Sequence, residues 1–246
     1  MKSQPLSIVS DTHGDMIDPL MEAKFFDWLA DYKPTIRIHA GDLFDFRPLR
    51  NGASLEERQE GMRPDFDAGM DFIKRYFAGG SQKWILWGNH DQRLFDLAET
   101  NAGPLADHAK DIIRQIQTLL RRLKVKTLPY DSRHGVLRLG HLKVLHGFHS
   151  GAGAAAAQAR IYGNCIFGHD HSQSIAPVPN LDGPAMAMGT GCMCFTDLQY
   201  NSRQTNKLRH QQGWVYGSLF ANGEYSAFQA KRVGDSVYAA TNFKSY

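Results

Sequence analysis

The sequence predicts an α/β fold, with βαβ units in its first half and strands in its last third. Three observations carry that expectation. Short apolar runs at 6–10, 35–39 and 84–87 each stop at a turn crowded with polar groups. Between them, apolar residues recur at helical spacing. Beyond residue 171 the chain shows strand-like runs and hairpin signals but no long helical stripe.

The run 6–10 reads as a first strand that empties into Asp11, Thr12, His13, Gly14 and Asp15. Met21, Phe25, Trp28, Leu29 and Tyr32 then mark a helix that Pro34 stops. The second strand, 35–39, leads to Gly41, Asp42 and Asp45. Residues 46–64 hold Arg47, Arg50, Arg58 and Arg63 with no sustained period, and are expected to be a mobile basic loop. Phe66, Met70, Ile73 and Phe77 mark a second helix, closed by Gly79 and Gly80. The third strand delivers Gly88, Asn89, His90 and Asp91.

A long amphipathic helix is expected over 104–124, its basic residues read as a solvated face. Gly140 and His141 join two apolar arms as a type II′ hairpin would, and the second arm ends at His146. A loop and short helix over 151–159 precede a strand at 161–167, which ends in Gly168, His169, Asp170 and His171. Further strands are expected at 185–194, 214–220 and 225–230, with Asn222 and Gly223 as a type I′ turn. Nothing marks a domain boundary, so one domain over 1–246 is expected.

The 246 residues are 42% hydrophobic and 22% charged, ordinary for a globular chain. No apolar run approaches the ~20 residues that cross a bilayer, and no secretory leader is visible, so a cytoplasmic location without membrane contact is expected. Three cysteines, Cys165, Cys192 and Cys194, are too few and odd for a disulfide framework. Cys192 and Cys194 would share a strand face; they are read as small core residues, with soft-metal binding as the alternative. The net charge of +3 permits anionic substrates without marking a nucleic-acid domain.

Ligands of open α/β sheets gather beyond the carboxyl ends of the strands. Five such ends here offer metal-binding groups. Asp11, His13, Asp42, Asn89, His146, His169 and His171 pool carboxylate, amide and imidazole donors, too many for one tetrahedral ion. A bridging carboxylate would let them serve two cations about 3.5–4 Å apart. Taken singly, each has a plainer reading as a helix cap, a turn residue or a solvated histidine.

The ordered blocks Asp11-x-His13, Gly41-Asp42-x-x-Asp45, Gly88-Asn89-His90-Asp91, His146-Gly147 and Gly168-His169-x-His171 resemble those of the calcineurin-like metallophosphoesterases. The likeness spans 11–171, about two-thirds of the chain. It implies two packed mixed β-sheets flanked by helices, an αββα sandwich. It also implies that Asp11, His13 and His171 bind one metal, that Asn89, His146 and His169 bind the other, and that Asp42 bridges them. Manganese is foremost among the cations, with iron, zinc or nickel as alternatives. The activity implied is hydrolysis of phosphate esters by in-line attack of a metal-bridging hydroxide. His90 is the implied general acid; Asp91, grouped with it at the catalytic position, and Asp45 are candidates for outer hydrogen bonds that orient His90 or a ligand.

Arg47, Arg50, Arg58, Arg63, Arg93, Arg203, Lys207 and Arg209 suggest a phosphodiester, nucleotide, DNA or RNA substrate. The alternatives are a phosphomonoesterase acting on a small molecule or phosphoprotein, and a non-catalytic scaffold. His149 follows His146 closely but is left out of the ligand set, and His39, His108, His134, His141 and His210 are read as structural or surface residues.

Overall fold

The computed structural model describes residues 3–100, 102–181, 183–197 and 208–241. Two mixed sheets pack face to face and helices cover their outer surfaces. The first sheet has the order β12-β11-β10-β1-β2-β3-β4. Its strands are β1 (Ser3–Val9), β2 (Ile36–His39), β3 (Gln82–Leu86), β4 (Lys126–Leu128), β10 (Gly213–Phe220), β11 (Tyr225–Val233) and β12 (Ser236–Tyr238). The second, β5-β6-β7-β9-β8, is built from β5 (Leu137–Leu139), β6 (Leu142–Leu145), β7 (Cys165–Phe167), β8 (Ile175–Val178) and β9 (Ala185–Gly189).

Period-two alternation explains how β1 serves two cores. Leu6 and Ile8 join Ile36, Ile38, Leu86 and Val215 against Leu142, Val144, Ile166 and Met188 of the other sheet. On the opposite face Ser7 bonds the hydroxyl of Tyr76, and Val9 packs with Phe25, Trp28, Ile73 and Trp214. That outer core lies under α1 (Pro19–Tyr32), α3 (Arg63–Tyr76) and α5 (Pro104–Leu123). The second sheet is covered by α6 (Ala154–Tyr162), whose Ala155 and Ala159 meet Leu145, Phe167 and Ala187.

Several boundaries differ from the sequence reading. Residues 46–64 are not one loop: Arg47–Leu49 is a 3₁₀ turn and α2 (Leu55–Gln59) is closed by a capping box between Ser54 and Glu57. So short a helix shows too few turns to register as a period. Ile161 and Tyr162 belong to the last turn of α6 rather than to a strand, because Gly163, at φ 72°, breaks the helix only after them. The hairpin at Asn222 exists, but Gly223 donates to Phe220 O and itself takes the positive φ of 87°, so its loop is longer than a two-residue turn. The Gly140 and His141 turn does pair Leu139 with Leu142 as expected. The remaining helix, α4 (Asn89–Thr100), starts at the third strand end. Among the described residues no helix is long and apolar enough to cross a membrane.

Candidate metal centre and active site

The parallel strands β1, β2 and β3 in one sheet and β6 and β7 in the other finish at the same edge of the sandwich, and their following turns are laced together. Asp11 N donates to Gly41 O at 2.9 Å, His13 N to Asp42 O at 3.1 Å, and His169 N to Asp11 Oδ2 at 3.1 Å. Asp91, placed among the catalytic residues by its position, holds this edge from behind. Its carboxylate accepts from the backbone of Gly88 at 2.9 Å, Phe44 at 2.9 Å and Leu43 at 3.3 Å, so it orients two ligand-bearing turns and not the His90 ring. Gly88 is required by crowding: a Cβ there would stand 2.1 Å from Asp42 Oδ1.

All seven pooled donors converge. His13 Nε2 stands 3.2 Å from His171 Nε2, and Asp11 Oδ1 lies 3.3 Å from His171 Nε2 and 3.9 Å from His13 Nε2. Asn89 Oδ1 meets His146 Nε2 at 3.0 Å and His169 Nδ1 at 2.8 Å. Asp42 Oδ2 sits between the two groups, 3.9 Å from His13 Nε2 and 3.3 Å from His146 Nε2. Five of these residues hold a left-handed backbone: Asp11, His13, Asp42, His169 and His171, at φ 52°, 50°, 51°, 68° and 52°. Side chains other than glycine rarely adopt it, and such residues cluster at ligand sites.

The donor set fits divalent cations. Nδ1 of His146 lies 2.9 Å from Ala40 O, so it is the nitrogen that carries the proton. Nε2 then turns a lone pair towards the oxygens of Asn89 and Asp42. Lone pairs meeting head-on in a buried place call for a positive charge between them. A proton on an imidazole can supply such a charge, as a cation can. Burial disfavours the imidazolium of His146, but the carboxylate of Asp42 outweighs it and raises the group to about 9. His171 is likewise raised, against burial, by Asp11. Desolvation, with His146 next to it, lowers half-buried His169 to about 4.

His90 lies against the same cluster. Its Nδ1 is 2.5 Å from Asp45 Oδ1, its backbone N donates to Asp42 Oδ1 at 2.8 Å, and its Nε2 is 3.8 Å from Asp42 Oδ2. Asp45 also faces His13 Nδ1 at 3.4 Å, so one carboxylate touches both a donor of the cluster and His90.

Sequence reasoning did not place Asp65, Ser10 or Thr190 here, read His210 as a structural or surface residue, and read Cys194 as a small core residue with soft-metal binding as the alternative. Asp65, in the first turn of α3, accepts from Asp45 N and Phe46 N at 3.1 and 2.6 Å. Ser10 bonds Asp11 and, at 2.6 Å, Thr190. The rings of His210 and His171 are 4.9 Å apart, and Cys194 Sγ is 3.9 Å from His171 Nδ1. Only the motif-like spacing of the strand ends could be read beforehand; these neighbours come from distant segments.

The basic residues are mostly engaged within the chain. Arg47 pairs with Asp15 and Glu60, Arg50 with Glu57, Arg63 with Asp67, and Arg209 with Asp170. Arg93 donates to Asp45 O at 2.8 Å. Arg58 is exposed, and Arg203 and Lys207 lie outside the described residues.

No family model matches the chain, and no curated protein matches it. Among solved structures, one superposes over 93% of this chain and 99% of its own at 9% identity and a TM-score of 0.51. Vps29 from Entamoeba histolytica covers 95% of this chain and 96% of its own at 11% identity and a TM-score of 0.48. The phosphoesterase YfcE from E. coli covers 88% of each chain at 13% identity and a TM-score of 0.39. Likeness at these identities concerns the fold. The chain has an α/β sandwich fold, two mixed sheets flanked by helices, which one solved structure shares over 93% of this chain.

Proposed function

We propose that this chain is a metal-dependent hydrolase of phosphate esters, with Asp11, His13 and His171 holding one divalent cation, Asn89, His146 and His169 a second, and Asp42 shared between them. The observation that carries the reading is the buried convergence of those seven donors on opposite sides of Asp42 Oδ2, with His90 alongside. When bound, such cations act as Lewis acids that acidify water and neutralise phosphoryl charge.

The chain's own residues do the rest. Asp45 engages Nδ1 of His90, leaving Nε2 as the nitrogen that hands a proton to the departing oxygen. Asp91 and Asp65 fix the backbone of the turns that carry Asp42, Asp45 and Asn89. Because the arginines around the site are ion-paired, a nucleotide-sized phosphodiester suits the site better than a long polyanion.

The test is a panel of phosphomonoesters, phosphodiesters, cyclic nucleotides and single- or double-stranded DNA under manganese, at two salt concentrations. Diester hydrolysis with a shallow salt dependence is expected. Asp42→Asn should abolish it, and His90→Asn should lower kcat about 10²–10⁴-fold. Failure of every ester with every divalent metal would end the proposal.

A further inference from the structure

The two sides of the centre have different walls. Around Asp45, beside His13 and His90, the wall is charged: Arg47 and Arg93 approach the Asp45 carboxylate at 3.6 and 3.5 Å. Beside His146 the wall is a row of rings. Tyr130 meets the imidazole of His146 edge-on with centroids 5.7 Å apart, and Phe148 stacks on Tyr130 at 4.9 Å with 24° between the planes. Tyr162 continues the row, 6.5 Å from Phe148.

Tyr130 and Phe148 are part-exposed, whereas Phe44, Phe46 and Trp87 on the neighbouring turns are buried. The Tyr130 hydroxyl has no hydrogen-bond partner among the described residues. Its counterparts are engaged: Tyr32 donates to Gly217 O, Tyr76 to Ser7 O and Tyr162 to Ser132 O. Burial and the charge of Asp42 push the Tyr130 phenol up to about 12, so it stays neutral.

The backbone holds both rings in place. Phe148 follows His146 and Gly147 at the end of β6, and the buried amide of Gln158, its oxygen turned to that loop, accepts from Phe148 N at 2.8 Å and from His149 N at 3.3 Å. Tyr130 follows β4 in a turn where Asp131 Oδ1 accepts from Arg133 N and His134 N at 2.8 and 2.6 Å. The bond from Tyr162 to Ser132 O joins that turn to α6. A surface ordered in this way loses little freedom when a ligand settles on it.

We propose that Tyr130 and Phe148 form a base subsite, against which the planar ring of a nucleoside phosphate packs while its phosphate lies at the Asn89, His146 and His169 side, an assignment that rests on the phosphate-ester reading above and names its substrate as a nucleotide. Every base has a π-face, so contact with aromatic side chains is favourable whichever base is present. A sugar separates base from phosphate, which suits a row that starts at His146 and continues through Tyr130 and Phe148.

Calorimetric titration of the full chain loaded with manganese tests this with two probes that share a sugar and a phosphate. Adenosine 5′-monophosphate should bind at least about fivefold more tightly than ribose 5-phosphate, the lower end of what stacking one base contributes. Tyr130→Leu and Phe148→Leu should each remove most of that ratio, and Tyr130→Phe, which retains the ring, should keep it. Equal affinities in the unaltered protein, or no binding of either probe, would overturn the subsite. So would a ratio that survives both leucine variants, since the base would then lie elsewhere. Tighter binding of phenyl phosphate than of the nucleotide would place the ring directly on the ester oxygen and overturn it as well. Because the unaltered protein is read first, a variant that fails to fold does not decide the matter. Selective nucleotide binding by a protein that hydrolyses no ester would refute the proposed activity and leave the subsite standing; ester hydrolysis with equal binding of the two probes would do the reverse.

Discussion

At the scale of single residues, Asp91 takes the ligand-orienting one of the two supporting roles expected of it and leaves the His90 ring alone. It follows His90 in the chain, yet its oxygens are occupied by three backbone N–H groups of the turns at 43–44 and 88. Burial and the nearby charge of Asp42 raise its carboxyl to about 7. Removing it leaves buried donors unsatisfied, at about 1–3 kcal/mol each. Asp91→Ala should therefore lower unfolding stability by at least about 3 kcal/mol in urea denaturation and weaken metal uptake as well. A variant with normal stability and lost activity would restore Asp91 to the chemistry. The donors themselves were legible because each follows an apolar run and a turn. Their left-handed backbone was not, since Asp11, His13 and Asp42 sit where only the assembled turns dictate φ.

At the scale of elements, Asp18 joins α1 to β11. Its Oδ1 caps α1 by accepting from Leu20 N and Met21 N, and its Oδ2 accepts from Gln212 and from Arg232 of β11. Burial opposes ionisation here, but these four donors outweigh it and hold the carboxyl below its usual 3.8. A depressed folded-state pKa means the contribution is complete above the unfolded value and is lost as pH falls through the folded one. Asp18→Ala should cost about 1–2 kcal/mol at pH 7. The gap between wild type and variant should close below about pH 3.8, which denaturant midpoints across pH 7 to 3 can check. The Asn222 hairpin, the helices at 19–32 and 104–123 and the core strands could be read from periodicity. The short strands β4, β8 and β12 escaped because three or four half-exposed residues carry no usable alternation.

At the scale of the whole molecule, the centre is a place where folding works against itself. Five strained residues, the carboxylates Asp11 and Asp42 among them, are gathered in one cluster. Bound cations would relieve the charge and add binding free energy to the folded state alone. At a free metal concentration of 100 times Kd that addition is about 2.7 kcal/mol, or a rise of about 5–10 °C in Tm for a chain of this size. Chelation followed by metal return should move the melting curve down and up by that much. No shift with any divalent metal would argue against a bound centre. The pairing of Arg47, Arg50 and Arg209 with carboxylates could not be foreseen, because their partners are set by tertiary contacts and not by spacing.

The position of β1 in the first sheet has a consequence for synthesis. Each of the seven pooled donors precedes residue 172, yet β1 takes its second neighbour from β10, with Ser3 opposite Phe220 and Ile8 opposite Val215. A nascent chain emerging from the ribosome thus carries a complete set of ligands for tens of residues before the strand bearing the first of them is closed. During that interval β1 presents a bare, apolar edge, the kind of surface that pairs with other chains. The sheet that carries β1 is completed by strands that follow every one of these donors, and a product released just past His171 would have those seven donors but only β1–β4 and β5–β7 of the two sheets to hold them.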